Sequence, residues 1–95
     1  MNRSDARTLA EAHVAAMDGA ADLAINDKLT EEHEAGHLFF YNTRRYWRTR
    51  DMIDGVAGNG PLLVRHDGRI VTLPSSLSVE ESLSLLQRDD LPAGG

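Results

Sequence analysis

Helical spacing of apolar residues is found at both ends of the chain. Near the N-terminus, apolar positions recur every three or four residues, at Ala6, Leu9, Ala10, Val14 and Met17. This period is typical of an amphipathic helix and predicts one over residues 4–17, with Ser4 as its N-cap. Near the C-terminus, Ser78 and Glu81 form an S-x-x-E capping box, which predicts a second helix. One side of that helix carries Val79, Leu83 and Leu86.

Between the two helices the apolar period shortens to two, which is typical of half-buried strands. We predict four strands, over residues 23–29, 37–41, 61–65 and 69–73. The last two flank Asp67-Gly68, a dipeptide typical of a hairpin with a type I′ turn, whose residues need positive φ. The polar residues 30–36 (TEEHEAG) are predicted to form a loop. Residues 42–60 are predicted to form a connection, with a short helical turn at 51–57.

The resulting order, α-β-β-β-β-α, predicts the fold class α+β. A small antiparallel four-stranded sheet would pack against an N-terminal and a C-terminal helix. We expect one domain over residues 1–95, because the length suits a single core and no repeat or linker divides it. The core should span about residues 4–88, and residues 89–95 (DDLPAGG) should form a flexible tail.

Composition and charge narrow the classes of function. The chain has no cysteine, so it cannot form a disulfide or a thiolate metal site. Fifteen acidic residues against ten basic ones give a net charge of −5, which disfavours general binding to nucleic acid or to anionic membranes. No apolar run is long enough to cross a bilayer, and no secretory signal is visible. We therefore expect a cytoplasmic protein.

One stretch, His33-Glu34-Ala35-Gly36-His37, matches the H-E-x-x-H pattern of zinc hydrolases. On a helix, this spacing places both imidazoles on one face to bind zinc, with Glu34 as the general base. However, residues 28–32 are mostly polar where a buried zinc helix needs apolar side chains, and residues 38–41 (LFFY) are typical of a strand. We therefore favour a polar loop that leads into a buried strand. A zinc-dependent hydrolase with His33 and His37 as ligands is the alternative.

Residues 44–50 (RRYWRTR) are the best candidate for a contact surface. Arginine, tyrosine and tryptophan are the residues that most often anchor interfaces, and this segment contains Arg44, Arg45, Tyr46, Trp47, Arg48 and Arg50. In the alternative interpretation, the two aromatic rings cover one end of the core while the arginines neutralise carboxylates such as Asp51 and Asp54. Binding of single-stranded nucleic acid by such a segment is disfavoured by the net charge.

The features from Gly36 onward follow a specific order. A glycine precedes an aromatic strand (GHLFFY), and a block at Gly58, Asn59 and Pro61, an apolar strand, the Asp67-Gly68 turn and a serine-initiated helix follow. This order resembles the YrhB-like family of small bacterial proteins, many of them predicted immunity proteins encoded beside polymorphic toxins. The resemblance covers about residues 5–88. That family usually has tryptophan where this chain has His37.

The resemblance implies a function. It implies a non-catalytic protein that binds and neutralises a cognate toxin encoded nearby, and that needs no cofactor. The residues themselves predict structural turns: Gly58 and Asn59 tolerate positive φ and would position Pro61 at the start of a strand, and Asp67 and Gly68 would form the hairpin turn. A chaperone-like binding protein is a further alternative, since some relatives have been discussed in that role. The negative charge of the chain suits a basic toxin domain.

Overall fold

The computed structural model describes residues 1–55 and 60–87 of the chain. Over this part, it confirms the α+β class, with a helix at each end and antiparallel strands between them. The elements follow in the order α1 (Arg3–Ala15), β1 (Leu23–Ile25), β2 (Glu31–His33), β3 (Gly36–Phe39), β4 (Tyr41–Thr43), α2 (Arg44–Thr49), β5 (Leu62–Arg65), β6 (Ile70–Thr72) and α3 (Val79–Gln87).

The strands form two antiparallel sheets. The larger sheet has the order β2-β3-β5-β6, and the smaller one pairs β1 with β4. The predicted strand over residues 37–41 is therefore two strands, because the chain leaves the larger sheet at Phe40 and enters the smaller one. The predicted strand over residues 23–29 is shorter, because a 3₁₀ turn at Asp27–Leu29 ends it. The side chain of Asn26 caps that turn by accepting the Lys28 N–H.

Side-chain alternation along β3 and β5 gives the larger sheet two buried faces. On one face, Phe39 and Val64 pack against Ala6 and Ala10 of α1. On the other face, Leu38 and Leu63 pack with Leu73 and with the apolar side of α3. Successive residues of a strand point to opposite faces, so α1 and α3 cover opposite sides of the same sheet. The predicted apolar side of the C-terminal helix is thus confirmed.

Both terminal helices start at capping residues, although one cap differs from the prediction. The side-chain oxygen of Asn2 accepts the Asp5 N–H, so helix α1 begins one residue before Ser4. The predicted capping box of α3 is present, since Ser78 Oγ accepts the Glu81 N–H at 3.1 Å.

Two sequence predictions fall on residues that the structure does not describe: the turn roles of Gly58 and Asn59, and the tail at residues 89–95.

The segment predicted as a polar loop contains strand β2, which is a correction. Glu31–His33 pairs with β3 in a tight hairpin, with Glu32 opposite His37 and His33 opposite Gly36. The segment is polar because β2 is an edge strand of the sheet, and two of its three side chains are exposed. Polar residues at a sheet edge also oppose pairing with other chains.

The hairpin between β5 and β6 is confirmed at the predicted place, but with a different turn. The Gly68 N–H bonds to the Arg65 carbonyl at 2.9 Å, and the Arg65 N–H bonds to the Arg69 carbonyl at 2.8 Å. Gly68 has φ 89°, whereas Asp67 does not have positive φ. This is a three-residue loop with a glycine bulge, so the predicted type I′ geometry is wrong.

We predict that Gly36→Ala strongly destabilises the fold. Gly36 has φ 151°, and a Cβ there would overlap the backbone carbonyl of Val64 on the neighbouring strand. Strain and overlap together should cost roughly 3–5 kcal/mol of unfolding free energy, measured by urea denaturation. Gly19→Ala is the matched control, because Gly19 has φ 75° but open space around its Cβ position. It should cost only about 1–2 kcal/mol. Equal losses in the two variants would contradict the close approach of β3 and β5.

We also predict that Asp67 stabilises the hairpin in a pH-dependent way. Its carboxylate accepts two hydrogen bonds from Arg69, one from the backbone N–H and one from the guanidinium, both at 3.0 Å. These bonds, the backbone one most strongly, lower the pKa of Asp67. A lowered pKa gives stability that is present above the unfolded value of about 3.9 and is lost as the pH falls through the folded value. Asp67→Asn should therefore be less stable than the natural protein at pH 7 but not in strong acid. A difference that persists unchanged into acid would contradict this role.

Candidate functional site

Helix α2 carries the residues predicted as a contact surface, and it begins at a side-chain cap. The Thr43 hydroxyl accepts the Tyr46 N–H at 3.0 Å, and the helix ends at Thr49, followed by Arg50 in the left-handed conformation with φ 58°. It has only six residues, too few to show a hydrophobic period, so the pattern of apolar residues does not predict it. The one local signal was the threonine at the end of a strand, since threonine favours N-caps.

Trp47 fixes this short helix on the smaller sheet. Its indole N–H donates to the carbonyl of Ala24 in β1 at 2.8 Å. Tyr46 meets the indole edge-to-face, with ring centroids 5.2 Å apart. The guanidinium of Arg50 lies 5.4 Å from the Trp47 centroid and 5.6 Å from the Tyr46 centroid, within the range of a cation–π interaction. Both rings are half-buried, so one side of α2 has a structural role.

Asp54 fixes the other side of α2 to the 3₁₀ turn that follows it (Met52–Asp54). Its carboxylate accepts the Arg45 Nε at 2.9 Å and the Thr49 hydroxyl at 2.7 Å. Its backbone carbonyl accepts the hydroxyl of Thr43, the residue that caps α2. The side chain of Asp54 is only 15% exposed, although that of Arg45 is 71% exposed. Asp54 therefore connects the 3₁₀ turn, to which it belongs, with both the beginning and the end of α2.

The remaining arginines are only partly neutralised. Arg44 donates to the carbonyl of Ala21 at 3.4 Å and forms no ion pair with a carboxylate in residues 1–55 or 60–87. Arg48 is exposed and makes no ion pair within the described part of the chain. Of the two carboxylates expected to neutralise the arginines, Asp54 does so, whereas Asp51 accepts the Ile53 N–H instead. Helix α2 therefore presents a basic surface on a protein whose net charge is −5.

A groove of about 480 Å³ runs beside α2. Its lining includes Tyr46, Trp47 and Arg50 and several apolar residues, among them Phe40, Pro61, Pro74 and Leu77. Pro61, predicted as a turn residue, lies just before β5 and is part of this lining. Aromatic rings with a guanidinium beside proline and aliphatic residues suit a protein segment as ligand. The groove and the basic surface of α2 adjoin each other, and together they form the candidate contact surface.

The histidines of the H-E-x-x-H match do not share a helix. His33 is in β2 and His37 is in β3. His37 lies on the same face as its cross-strand partner Glu32, and His33 alternates to the other face. The two imidazoles therefore point to opposite sides of the sheet, and the helical geometry of a zinc hydrolase is contradicted. Among the described residues there is no group of three potential ligands around one point.

The two imidazoles have local partners instead. His33 Nε2 lies 2.7 Å from the carboxylate of Glu31, its neighbour on the same face of β2. His37 is 7% exposed and meets the ring of His66 edge-to-face at 6.2 Å. His66 in turn contacts the carbonyl of Glu34 through Nε2 at 3.0 Å. His37 thus occupies a buried structural position in β3, next to the β5–β6 hairpin.

A family model described as Immunity protein 35 matches residues 4–84. This match confirms the prediction of an immunity-protein family, under a name that differs from the YrhB-like one. No curated protein and no solved structure matches the chain. No helix within residues 1–55 and 60–87 is long and apolar enough to cross a membrane.

We predict that Asp54→Ala loosens α2 from the 3₁₀ turn. The substitution removes one ion pair and one hydroxyl hydrogen bond, worth about 1–2 kcal/mol together. Trp47 is the only tryptophan, so a red shift of its emission should accompany the loss of stability. Asp18→Ala, at an exposed aspartate with no side-chain hydrogen bond in the described residues, is the control and should change neither quantity. An unaltered emission in Asp54→Ala would contradict this role of Asp54.

Proposed function

Since this chain belongs to the Immunity protein 35 family, we propose that it binds a toxin encoded by a neighbouring gene and neutralises it by direct contact. The single observation that carries the proposal is the family match, which extends from the first turn of α1 into α3. Inhibition by contact needs no reaction and no cofactor, so we propose a non-catalytic protein. We place it in the cytoplasm of the cell that makes the toxin.

We further propose that the contact surface is the exposed side of α2 together with the adjoining groove. The surface consists of Arg44, Arg45, Tyr46, Trp47, Arg48 and Arg50. Two features support this proposal: the composition of the surface and its rigidity. Arginine, tyrosine and tryptophan dominate the energetics of protein interfaces, and the bonds from Trp47 to β1 and from Asp54 to the helix hold the surface in one conformation. Rigid contact residues lose less entropy on binding.

The competing functions have less support. The zinc hydrolase depends on a helical H-E-x-x-H arrangement, and the opposite orientation of the two imidazoles removes its geometric basis. A chaperone-like protein would use the same kind of surface but would not bind one specific toxin. Binding to a single toxin, with suppression of its toxicity, therefore distinguishes an immunity protein from a chaperone-like one. The kinship to the YrhB-like family remains a prediction from the order of motifs.

We predict that the protein binds the toxin domain encoded beside its gene and that Arg48→Glu weakens this binding at least about tenfold. The substitution reverses the charge of an exposed arginine that has no ion pair within the described residues. The dissociation constant is measured by titration of Trp47 fluorescence, and toxicity by co-expression in cells. Arg3→Glu makes the same change of charge in the first turn of α1 and should bind normally, because acidic residues suit that position.

Two different results would contradict these proposals. If the natural protein neither binds the neighbouring toxin nor suppresses its toxicity, the immunity function is wrong. If Arg48→Glu and Arg3→Glu both bind like the natural protein, the function stands but the surface on α2 is wrong.

A further inference from the structure

Two large aliphatic side chains directly after α2 are almost fully exposed. Met52 is 85% exposed and its neighbour Ile53 is 87% exposed. Neither belongs to the three apolar clusters that form the core. Burial of such side chains is favourable by an amount that grows with the apolar area removed from water. An adjacent exposed pair therefore calls for an explanation outside the folding of this chain.

The backbone that carries this pair is held by hydrogen bonds. The Asp51 carboxylate accepts the Ile53 N–H at 3.1 Å, and the Asp51 carbonyl accepts the Asp54 N–H at 2.9 Å. The Gly55 N–H closes the turn on the Met52 carbonyl at 3.2 Å. The Asp54 side chain then ties the turn to α2 through Arg45 and Thr49. The two exposed side chains therefore project from a preformed turn, which reduces the entropy lost on binding.

The segment that contains the pair is basic on balance. Residues 44–54 carry four arginines and two aspartates, Asp51 and Asp54. Of these four arginines, only Arg45 forms an ion pair with a carboxylate among the described residues, that of Asp54. A binding partner must therefore combine apolar surface for the aliphatic pair with negative charge for the arginines. Aliphatic centres with arginines at the rim are typical of protein interfaces, whereas nucleic acid offers the charge without the apolar cleft.

We propose that Met52 and Ile53 are the apolar anchors of the toxin contact and insert into a cleft of the toxin that is rimmed by carboxylates. This inference rests on the proposed function and specifies the chemistry of the partner. The contact region of the toxin is acidic even where its whole domain is basic. The net charge of the immunity protein then acts at long range to speed encounter, while the local charge of α2 fixes the docked orientation.

The test is a comparison of two double variants with the natural protein. Met52→Ser combined with Ile53→Ser should weaken binding to the toxin domain encoded beside the gene at least about tenfold. Met52→Leu combined with Ile53→Leu keeps the apolar surface and should bind like the natural protein. Because both side chains are exposed, both variants should keep the melting temperature of the natural protein. The loss in the serine variant should also persist in high salt, where charge effects are screened.

The possible results separate this inference from the proposed function. No binding by the natural protein would overturn both. Binding by the natural protein that the serine pair leaves unchanged would overturn the anchors and leave the immunity function intact. A single-stranded oligonucleotide that binds the natural protein, and loses binding in the serine variant, would show a nucleic-acid site and overturn the toxin cleft.

Discussion

The structure depends on the burial of β3 on both faces. All four of its residues, Gly36–Phe39, are buried, and β3 has a hydrogen-bonded strand on each side. Phe39 packs toward α1 and Leu38 packs toward α3, so this one strand joins both helical layers. The close approach to β5 leaves no room for a side chain at Gly36. The glycine and second histidine of the H-E-x-x-H match are therefore explained by the packing of a central strand.

The position of α2, which carries the candidate contact surface, follows from where β3 ends. At Phe40 the chain leaves the larger sheet, and β4 then pairs with β1 and leads directly into α2. A six-residue helix has little stability of its own, so α2 needs its three ties: the Thr43 cap, the bond from Trp47 to Ala24 and the clasp at Asp54. These ties hold the helix on two sides. They still leave its four arginines and the following aliphatic pair exposed, where we propose that the toxin binds.

The sequence predicted the parts of the fold that local patterns determine. Helical spacing and caps identified α1 and α3, and the apolar runs identified β3, β5 and β6. It missed β2, because the polar residues Glu31 and Glu32 become a strand only through pairing with β3. It missed the division of residues 37–41, because nothing local distinguishes Phe40.

The candidate surface was predicted by composition in residues 44–50. Met52 and Ile53 were not predicted, because apolar residues in a sequence ordinarily indicate core, and only the structure shows their exposure.

If α2 and the turn after it contact the toxin, as we propose, their backbone amides become protected in the complex. Hydrogen–deuterium exchange of the protein, alone and in complex with the toxin domain encoded beside its gene, measures that protection. We expect slower exchange of the backbone amides in residues 44–55 of the complex, and unchanged exchange along the exposed side of α1. Slower exchange confined to α1 or α3, with residues 44–55 unaffected, would show that the toxin binds elsewhere on the protein.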